Sequence, residues 1–185
     1  MSDELDTTTK LEIYKLVINK YKDLISEKES CSISETRQRV SPYNEFIKKV
    51  RDQFLSDMLP YIKQKHFLLA AQRAMDYVRT IKTCEFSFTF WVNFDDMDKI
   101  RIGTAMDKAI LFAALLRSLE SEDAKVYVTK KGKSYVKFSV DNMPYLFASE
   151  SGSFLMGEDS LKIFTDDPPA YSFNDLVYEN YEEES

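Results

Sequence analysis

The N-terminal half of the chain carries apolar side chains at helical spacing. Between Lys10 and Glu29 these residues recur at steps of three and four, with charged residues on the other side. A second helix is predicted from Pro42 through Met58, ended by Pro60, and a third from Gln64 to Ile81. The polar segment from Ser30 to Val40 lacks this period and is predicted to be a linker.

The period changes after the third helix. The alternating phenylalanines from Phe86 to Val92 predict an extended stretch, and Asp95–Asp98 is interpreted as a polar turn. Thr104 is a good N-cap for a strongly apolar helix that continues to Leu119. Strand patterns follow at Lys125–Thr129, Lys133–Val140, Tyr145–Ala148 and Leu161–Phe164. Helices first and strands afterwards predict an α+β domain.

The scarcity of histidine and cysteine narrows the possible chemistry. His66 is the only histidine of the 185 residues, and Cys31 and Cys84 are the only cysteines. A histidine-rich zinc site is therefore impossible, and any mechanism that pairs a nucleophile with an imidazole must use His66. We expect neither a bound metal nor a cofactor.

The charge and the distribution of apolar residues restrict the partners and the location. The net charge of -6 carries no basic footprint of the kind that binds nucleic acid. The acidic N-terminus has no apolar run behind it, and the longest apolar stretches fall short of the roughly 20 residues that a membrane span needs. These patterns predict a cytoplasmic protein without a signal peptide, which binds neither nucleic acid nor a membrane.

One motif lies between Arg101 and Leu119, where Gly-Thr-Ala-Met-Asp-Lys-Ala is followed by Leu-Leu-Arg-Ser-Leu. It resembles the nucleophile helix of the transglutaminase-like superfamily, which has the papain-like cysteine-protease fold and begins this helix with Gly-x-Cys-x-Asp-Lys-Ala. Residues 74–81 and 90–91 resemble the family's approach to that helix, so the resemblance covers residues 65–150. It implies a papain-like transglutaminase core of the α+β class, in which a buried nucleophile-type helix packs on an antiparallel sheet after N-terminal helices.

The resemblance also implies a catalytic triad, which this sequence lacks. Family members use a cysteine at the helix start, a histidine from the following hairpin and an aspartate on the next strand. Matched residue by residue, these positions fall on Ala105, Lys133 and Ala148, the last two open to a slip of one or two residues. No histidine follows His66, so no slip restores the triad. We therefore predict a catalytically inactive member of the family, a pseudoenzyme.

An inactive member of this family is expected to act as a binding or scaffolding module for a protein or peptide partner. We predict that the cleft between the helix start and the sheet survives, where free backbone N–H groups from Thr104 to Met106 favour an anionic or carbonyl group. A cleft filled by Phe or Tyr side chains would count against this prediction. The predicted ligand-binding residues are Trp91, Gly103, Thr104, Ala105, Met106 and Tyr135.

Three alternatives stay open at the level of the sequence. Cys84 and His66 could support a residual thiol hydrolase or transferase activity. The chain could be an accessory domain of the kind found in DNA-repair proteins that carry an inactive transglutaminase-like domain, although its acidic balance argues against this. The helix from Lys10 to Glu29 could pair with another chain, or with another copy of this one.

The domain organisation follows from these assignments. Residues 1–40 are predicted to be an N-terminal helical extension and linker, and residues 41–165 the transglutaminase-like domain. Residues 166–185 end in an acidic run and are predicted to be a C-terminal tail that packs partly on the domain.

Overall fold

The computed structural model describes residues 6–28, 32–86 and 90–181, and these residues form two units. One unit contains helix α1 (Thr7–Lys28) together with residues 86 and 90–91. The other unit contains all remaining described residues and has an α+β architecture, with a six-stranded antiparallel sheet and several helices.

The prediction of a helix over Lys10–Glu29 is confirmed by α1 as far as Lys28, and Glu29 lies outside the described residues. Asp6 caps its start, because the carboxylate accepts hydrogen bonds from the backbone N–H groups of Thr8 and Thr9 at 2.8 and 3.0 Å. These two groups would otherwise have no partner within the first helical turn.

The second unit alternates between helices and very short strands before its main sheet begins. Its helices are α2 (Ile33–Arg39), α3 (Glu45–Leu55), α4 (Lys63–Arg79), α5 (Phe94–Ile100), α6 (Ala105–Ser118) and α7 (Ile163–Asp166), the last preceded by a 3₁₀ turn (Glu158–Lys162). Its strands are β1 (Lys82–Thr83), β2 (Ile102–Gly103), β3 (Lys125–Thr129), β4 (Ser134–Val140), β5 (Met143–Ala148), β6 (Ser153–Met156), β7 (Pro169–Phe173) and β8 (Tyr178–Asn180).

The six strands of the main sheet are ordered β6-β5-β4-β3-β7-β8, and all neighbours are antiparallel. The short strands β1 and β2 pair in parallel, and the N–H of Cys84 continues the ladder by donating to the carbonyl of Gly103 at 3.0 Å. Because successive residues of a strand point to opposite faces, the register decides which side chains meet the helices.

Helix α6 is the central buried helix, as the sequence predicts. The ring of Phe112 contacts Phe138 of β4 and Phe147 of β5, with centroids 6.1 and 4.8 Å apart. Phe67 of α4 reaches the same Phe138 ring at 6.0 Å. Helices α4 and α6 therefore cover one face of the sheet and bury its apolar side chains.

The other face of the sheet is covered in part by the segment that follows β6. The ring of Phe164 in α7 lies 5.5 Å from that of Tyr127 and 5.7 Å from that of Tyr135, which are cross-strand partners on β3 and β4. The strand predicted over Leu161–Phe164 is wrong: these residues close the 3₁₀ turn and enter α7. They place an aromatic ring on the sheet instead of extending it.

Two further helices correct the interpretation of the sequence. The segment predicted to be a linker contains α2, which starts at a capping box formed by Ser32 and Glu35. The predicted polar turn at Asp95–Asp98 belongs to α5, where acidic residues in the first turn favour the helix N-terminus. In both places, polar residues at the start of a helix look like a loop in the sequence.

The last part of the chain joins the main sheet. Strands β7 and β8 arise from the segment predicted to be a tail, and they extend the sheet beyond β3. The extended stretch predicted for Phe86–Val92 lies partly on residues 87–89, outside the described residues, and residues 86 and 90–92 are not in a strand. Among the described residues, no helix combines the length and the apolar character that crossing a membrane requires.

Candidate functional site

At the start of α6, the side chains of Asp107 and Thr104 accept hydrogen bonds from two backbone N–H groups, those of Thr104 and Asp107. The Asp107 carboxylate accepts hydrogen bonds from the backbone N–H of Thr104 at 3.0 Å and from its hydroxyl at 2.7 Å. In return, the N–H of Asp107 donates to Thr104 Oγ1 at 3.1 Å, which completes a capping box. The expectation that the N–H of Thr104 is free for a ligand is therefore wrong. A carboxylate of this chain already lies where the helix dipole favours an anion.

Gly103 is closely packed directly before this cap. A Cβ atom added there would lie 3.2 Å from Sδ and 3.3 Å from Cγ of Met97, a buried residue of α5. The side chain of Met97 would have to move to make room for it. The glycine of the family-like motif thus has a structural role in this chain, independent of any ligand.

Two charged residues of the first turn of α6 are buried, and burial shifts both pKa values toward the neutral forms. Burial raises the pKa of Asp107, and its hydrogen bonds from Thr104 and from the backbone of Val92 only partly oppose this. Burial lowers the pKa of Lys108, whose ammonium donates to Thr83 Oγ1 at 2.8 Å. The Thr83 hydroxyl donates in turn to the carbonyl of Glu150 at 3.0 Å, so this chain of bonds ties α6 and β1 to the end of β5.

The positions predicted to replace the family's histidine and aspartate are not brought together with Ala105. Lys133 is exposed in the turn before β4, and its backbone N–H donates to Thr129 Oγ1. Tyr135 and Ala148 are cross-strand partners, and they lie on the face that Phe164 covers, away from α6. A side chain on that face cannot reach the start of α6.

Moving the predicted positions by one residue along each strand, from Lys133 and Ala148, gives Ser134 and Ser149, which lie on the face toward α6. Ser134 and Ser149 have the same orientation as Phe138 and Phe147, the phenylalanines that contact Phe112. Both serines are buried, and Ser149 donates through its N–H and its hydroxyl to the carbonyl of Ser134 at 3.2 and 3.0 Å. Within the described part of the chain, Ser134 Oγ is buried without a hydrogen-bond partner.

Cys84 and His66 are too far apart to form a catalytic pair. The backbone N–H of Cys84 donates to the carbonyl of Gly103, just before α6 begins. His66 lies in α4, and the ammonium of Lys63 at the start of α4 donates to the carbonyl of Glu120, just after α6 ends. The 14 residues of α6 separate these ends by about 20 Å. Burial and the nearby Asp107 carboxylate raise the pKa of Cys84, which is the opposite of thiol activation.

Trp91 belongs to the unit of α1, where it is half-buried. Its predicted place beside Gly103 and Thr104 stays a prediction. Met106 is half-exposed in the first turn of α6. Of the predicted ligand-binding residues, only Gly103 through Met106 are brought together by the described structure of the second unit.

An apolar groove between α4 and the end of the sheet is the feature that sequence reasoning missed. It has a volume of about 280 Å³ and lies beside β6. Its floor is an aromatic stack in which Tyr145 lies 5.3 Å from Phe138 and 5.5 Å from Phe154 between ring centroids. The lining residues are Leu68, Ala71, Gln72, Met75, Phe138, Tyr145, Phe154 and Met156.

The sequence holds a partial signal for this groove. Leu68 falls on the apolar stripe of the third predicted helix, which places it in the core, yet 49% of its surface is exposed in α4. The sequence around β6 gives no such signal, because Leu155 between Phe154 and Met156 is also apolar and hides any alternation. Only the structure shows that these two faces meet.

Neither a cluster of metal ligands nor a similar known protein identifies a function for this chain. The described residues contain no group of three or more His, Cys, Asp or Glu side chains placed to hold a metal ion. No protein-family model, no curated protein and no solved structure matches this chain.

Proposed function

We propose that this chain is a catalytically inactive, transglutaminase-like domain with papain-like architecture, and that it binds a protein partner through an extended apolar peptide. The peptide occupies the groove beside β6 as an added strand. The observation that carries the proposal is the coincidence of an aromatic-floored groove with a sheet edge that is unpaired among the described residues.

The order of elements supports the family assignment, and the side chains support the loss of catalysis. A buried helix with the Gly-Thr-x-x-Asp-Lys frame is followed by two antiparallel hairpins, which is the order that the family uses. The first residue of α6 is Ala105, whose methyl group cannot act as a nucleophile. The positions one residue beyond Lys133 and Ala148, at the start of β4 and directly after β5, hold Ser134 and Ser149 in place of an imidazole and a carboxylate.

The start of α6 is a poor place for the ligand. Asp107 takes up the N–H of Thr104, and a carboxylate with a raised pKa already lies against the positive end of the helix. A second anion there would meet a buried carboxyl group. Partner binding is therefore better served by the groove.

The groove has the chemistry of a peptide-binding surface. Seven of its lining side chains are apolar or aromatic, and Gln72 supplies one amide that can hydrogen-bond a peptide group. Its rim is accessible, since Leu68 is 49% and Met156 is 66% exposed. A few apolar side chains of a partner would fill the volume and displace water from the aromatic floor.

The edge strand supplies the main-chain half of the interaction. In an antiparallel ladder, alternate residues of β6 direct their N–H and C=O groups away from β5. Phe154 and Met156 face the groove from this strand. A peptide added along β6 would thus pair with its backbone while alternate side chains enter the groove against Leu68, which is β-strand addition.

The proposal predicts that a substitution in the groove weakens peptide binding and that a substitution beside the groove does not. Random linear peptides displayed on phage are selected on the full chain, and Kd is measured for a selected peptide. Leu68→Lys puts a charge on the groove wall and is expected to weaken binding about tenfold or more, equivalent to 1.4 kcal/mol. Leu69→Lys is the matched control: Leu69 is also 49% exposed but does not line the groove, and its replacement should leave Kd unchanged.

A second probe tests the strand pairing itself. N-methylation of alternate backbone amides of the selected peptide removes main-chain donors and keeps every side chain. One of the two methylated registers should abolish binding and the other should not. The proposal would be overturned by a peptide that binds both leucine variants equally well and tolerates both methylation patterns equally well. A selection that returns no specific peptide would also overturn it.

A further inference from the structure

Helix α1 presents a broad apolar face on one side. Eight apolar side chains share an arc of about 160° when plotted at 100° per residue. All but Ile25, which is half-buried, have between 40% and 62% of their surface exposed. The eight residues are Leu11, Ile13, Tyr14, Val17, Ile18, Tyr21, Leu24 and Ile25.

The extent of this face is unusual for a chain that acts as a monomer. Single soluble proteins rarely expose a contiguous apolar patch larger than a few hundred Å². Seven half-exposed side chains of this size leave on the order of 600–700 Å² uncovered on α1. Two such faces packed together would bury roughly 1,300 Å² in total, which is enough for a specific and stable interface.

The spacing along the helix fits packing against another helix. Tyr14, Val17, Tyr21 and Leu24 follow one another at steps of three, four and three residues, the spacing that keeps a seam facing a partner helix. At 22 residues, α1 spans about 33 Å, so this seam is long enough for several layers of side chains.

The polar side of α1 favours a protein partner over a lipid surface. A helix that lies on an anionic membrane has a polar face dominated by Lys and Arg. The polar side of α1 instead mixes both signs, as helices in bundles do. Its charged residues are Glu12, Lys15, Lys20, Lys22, Asp23 and Glu27.

We propose that α1 pairs with α1 of a second copy of this chain, so that the protein is a homo-oligomer held together by the apolar face of its N-terminal helix. Every copy carries the same face, and burying it against itself requires no further component. The pairing is independent of the groove beside β6, so either proposal can fail without the other.

Sedimentation velocity of the full chain over a concentration series tests this proposal. We expect a particle of twice the 21.6 kDa chain mass or a higher multiple. Leu24→Glu places a charge in the seam and should return the monomer. Leu16→Glu is the matched control, because Leu16 is an exposed leucine on the opposite side of the helix, and this variant should remain associated.

Three results would overturn the proposal. The first is a monomer at every concentration, and the second is equal dissociation by Leu24→Glu and Leu16→Glu. The third is a monomeric chain that floats with phosphatidylserine-containing vesicles and loses this property on Leu24→Glu, which would assign the face to a membrane. Circular dichroism of both variants must show unchanged helix content, so that loss of association reflects the surface and not the fold.

Discussion

Ser134, the first residue of β4, and Ser149, directly after β5, lie opposite each other and differ in the hydrogen bonds of their hydroxyl groups. Ser149 Oγ donates to the carbonyl of Ser134 at 3.0 Å, whereas Ser134 Oγ is buried without a hydrogen bond among the described residues. A buried hydroxyl without a partner costs free energy, and removing it relieves that cost. The two serines therefore make opposite contributions to stability at nearly the same place in the core.

This difference gives a prediction at the scale of single residues. Ser134→Ala should leave the free energy of unfolding unchanged or raise it slightly, because the methyl group needs no hydrogen bond. Ser149→Ala should lower it by about 1 kcal/mol, since a buried hydrogen bond is lost. Urea denaturation of the two variants measures this directly, and a larger loss for Ser134→Ala would show that its hydroxyl has an essential partner.

At the scale of the elements, helix α6 depends on a cap that contains a buried carboxyl group. The folded chain holds the proton of Asp107 to a higher pH than the unfolded chain does, because burial raises the pKa above its ordinary value of 3.8. The folded state thus binds more protons in the window that begins near pH 3.8. By linkage, the contribution of Asp107 to stability falls as the pH rises through that window.

Asp107→Asn tests this element-scale prediction. Asparagine keeps an oxygen that can accept the hydrogen bonds of Thr104, but it has no proton to lose. The unfolding free energy of the native chain minus that of Asp107→Asn should decrease as the pH rises from about 4 toward neutrality. A difference that increases over this range would mean that the folded state favours the charged carboxylate, contrary to the assignment.

The elements also show how far the sequence predicts the fold. The period of α6 and the alternation in β3 to β5 are local patterns, and the strand predicted at Lys125–Thr129 has the observed bounds. The helix α3 begins later than predicted because Asn44 caps it, accepting from the N–H groups of Phe46 and Ile47, so that Ser41 and Pro42 precede it. Such single hydrogen bonds set the ends of helices, and neighbouring residues such as Ser41 and Asn44 are both plausible caps in the sequence.

The candidate site was less predictable because it depends on register and on long-range contacts. A slip of one residue moves every side chain of a strand to the other face, so the motif alone could not choose between Lys133 and Ser134. The groove requires Leu68 of α4 to meet Phe154 of β6, which are far apart in the chain. No local pattern in the sequence predicts this contact between α4 and β6.

At the scale of the α+β unit, a buried ion pair joins α6 to the C-terminal strands. Arg117 donates to both carboxylate oxygens of Asp175, in the turn between β7 and β8, and to the carbonyl of Ser121 at 3.0 Å. The two side chains are only 8% and 13% exposed. Arg37 donates to the backbone carbonyl of Asp175 at 2.9 Å, which holds α2 to the same turn.

Breaking this pair should destabilise the entire α+β unit. Arg117→Met leaves the Asp175 carboxylate buried without its partner, and we expect a loss of about 3 kcal/mol in the free energy of unfolding. Lys162→Met is the control: its pair with Asp159 is 77% and 86% exposed, so the loss should stay below about 0.5 kcal/mol. Equal, small losses in urea denaturation would mean that the C-terminal strands are not part of the cooperative core.

We propose that the partner binds beside β6 and not at the start of α6. The most direct measurement is the change in the amide and methyl NMR spectra of the isotope-labelled chain when a selected peptide is added. We expect shifts at Ser153–Met156 and at the methyl groups of Leu68 and Met75, with the amides of Thr104–Asp107 unchanged. Shifts confined to Thr104–Asp107, Ser134 and Ser149, with β6 unaffected, would contradict this and place the binding site at the start of α6.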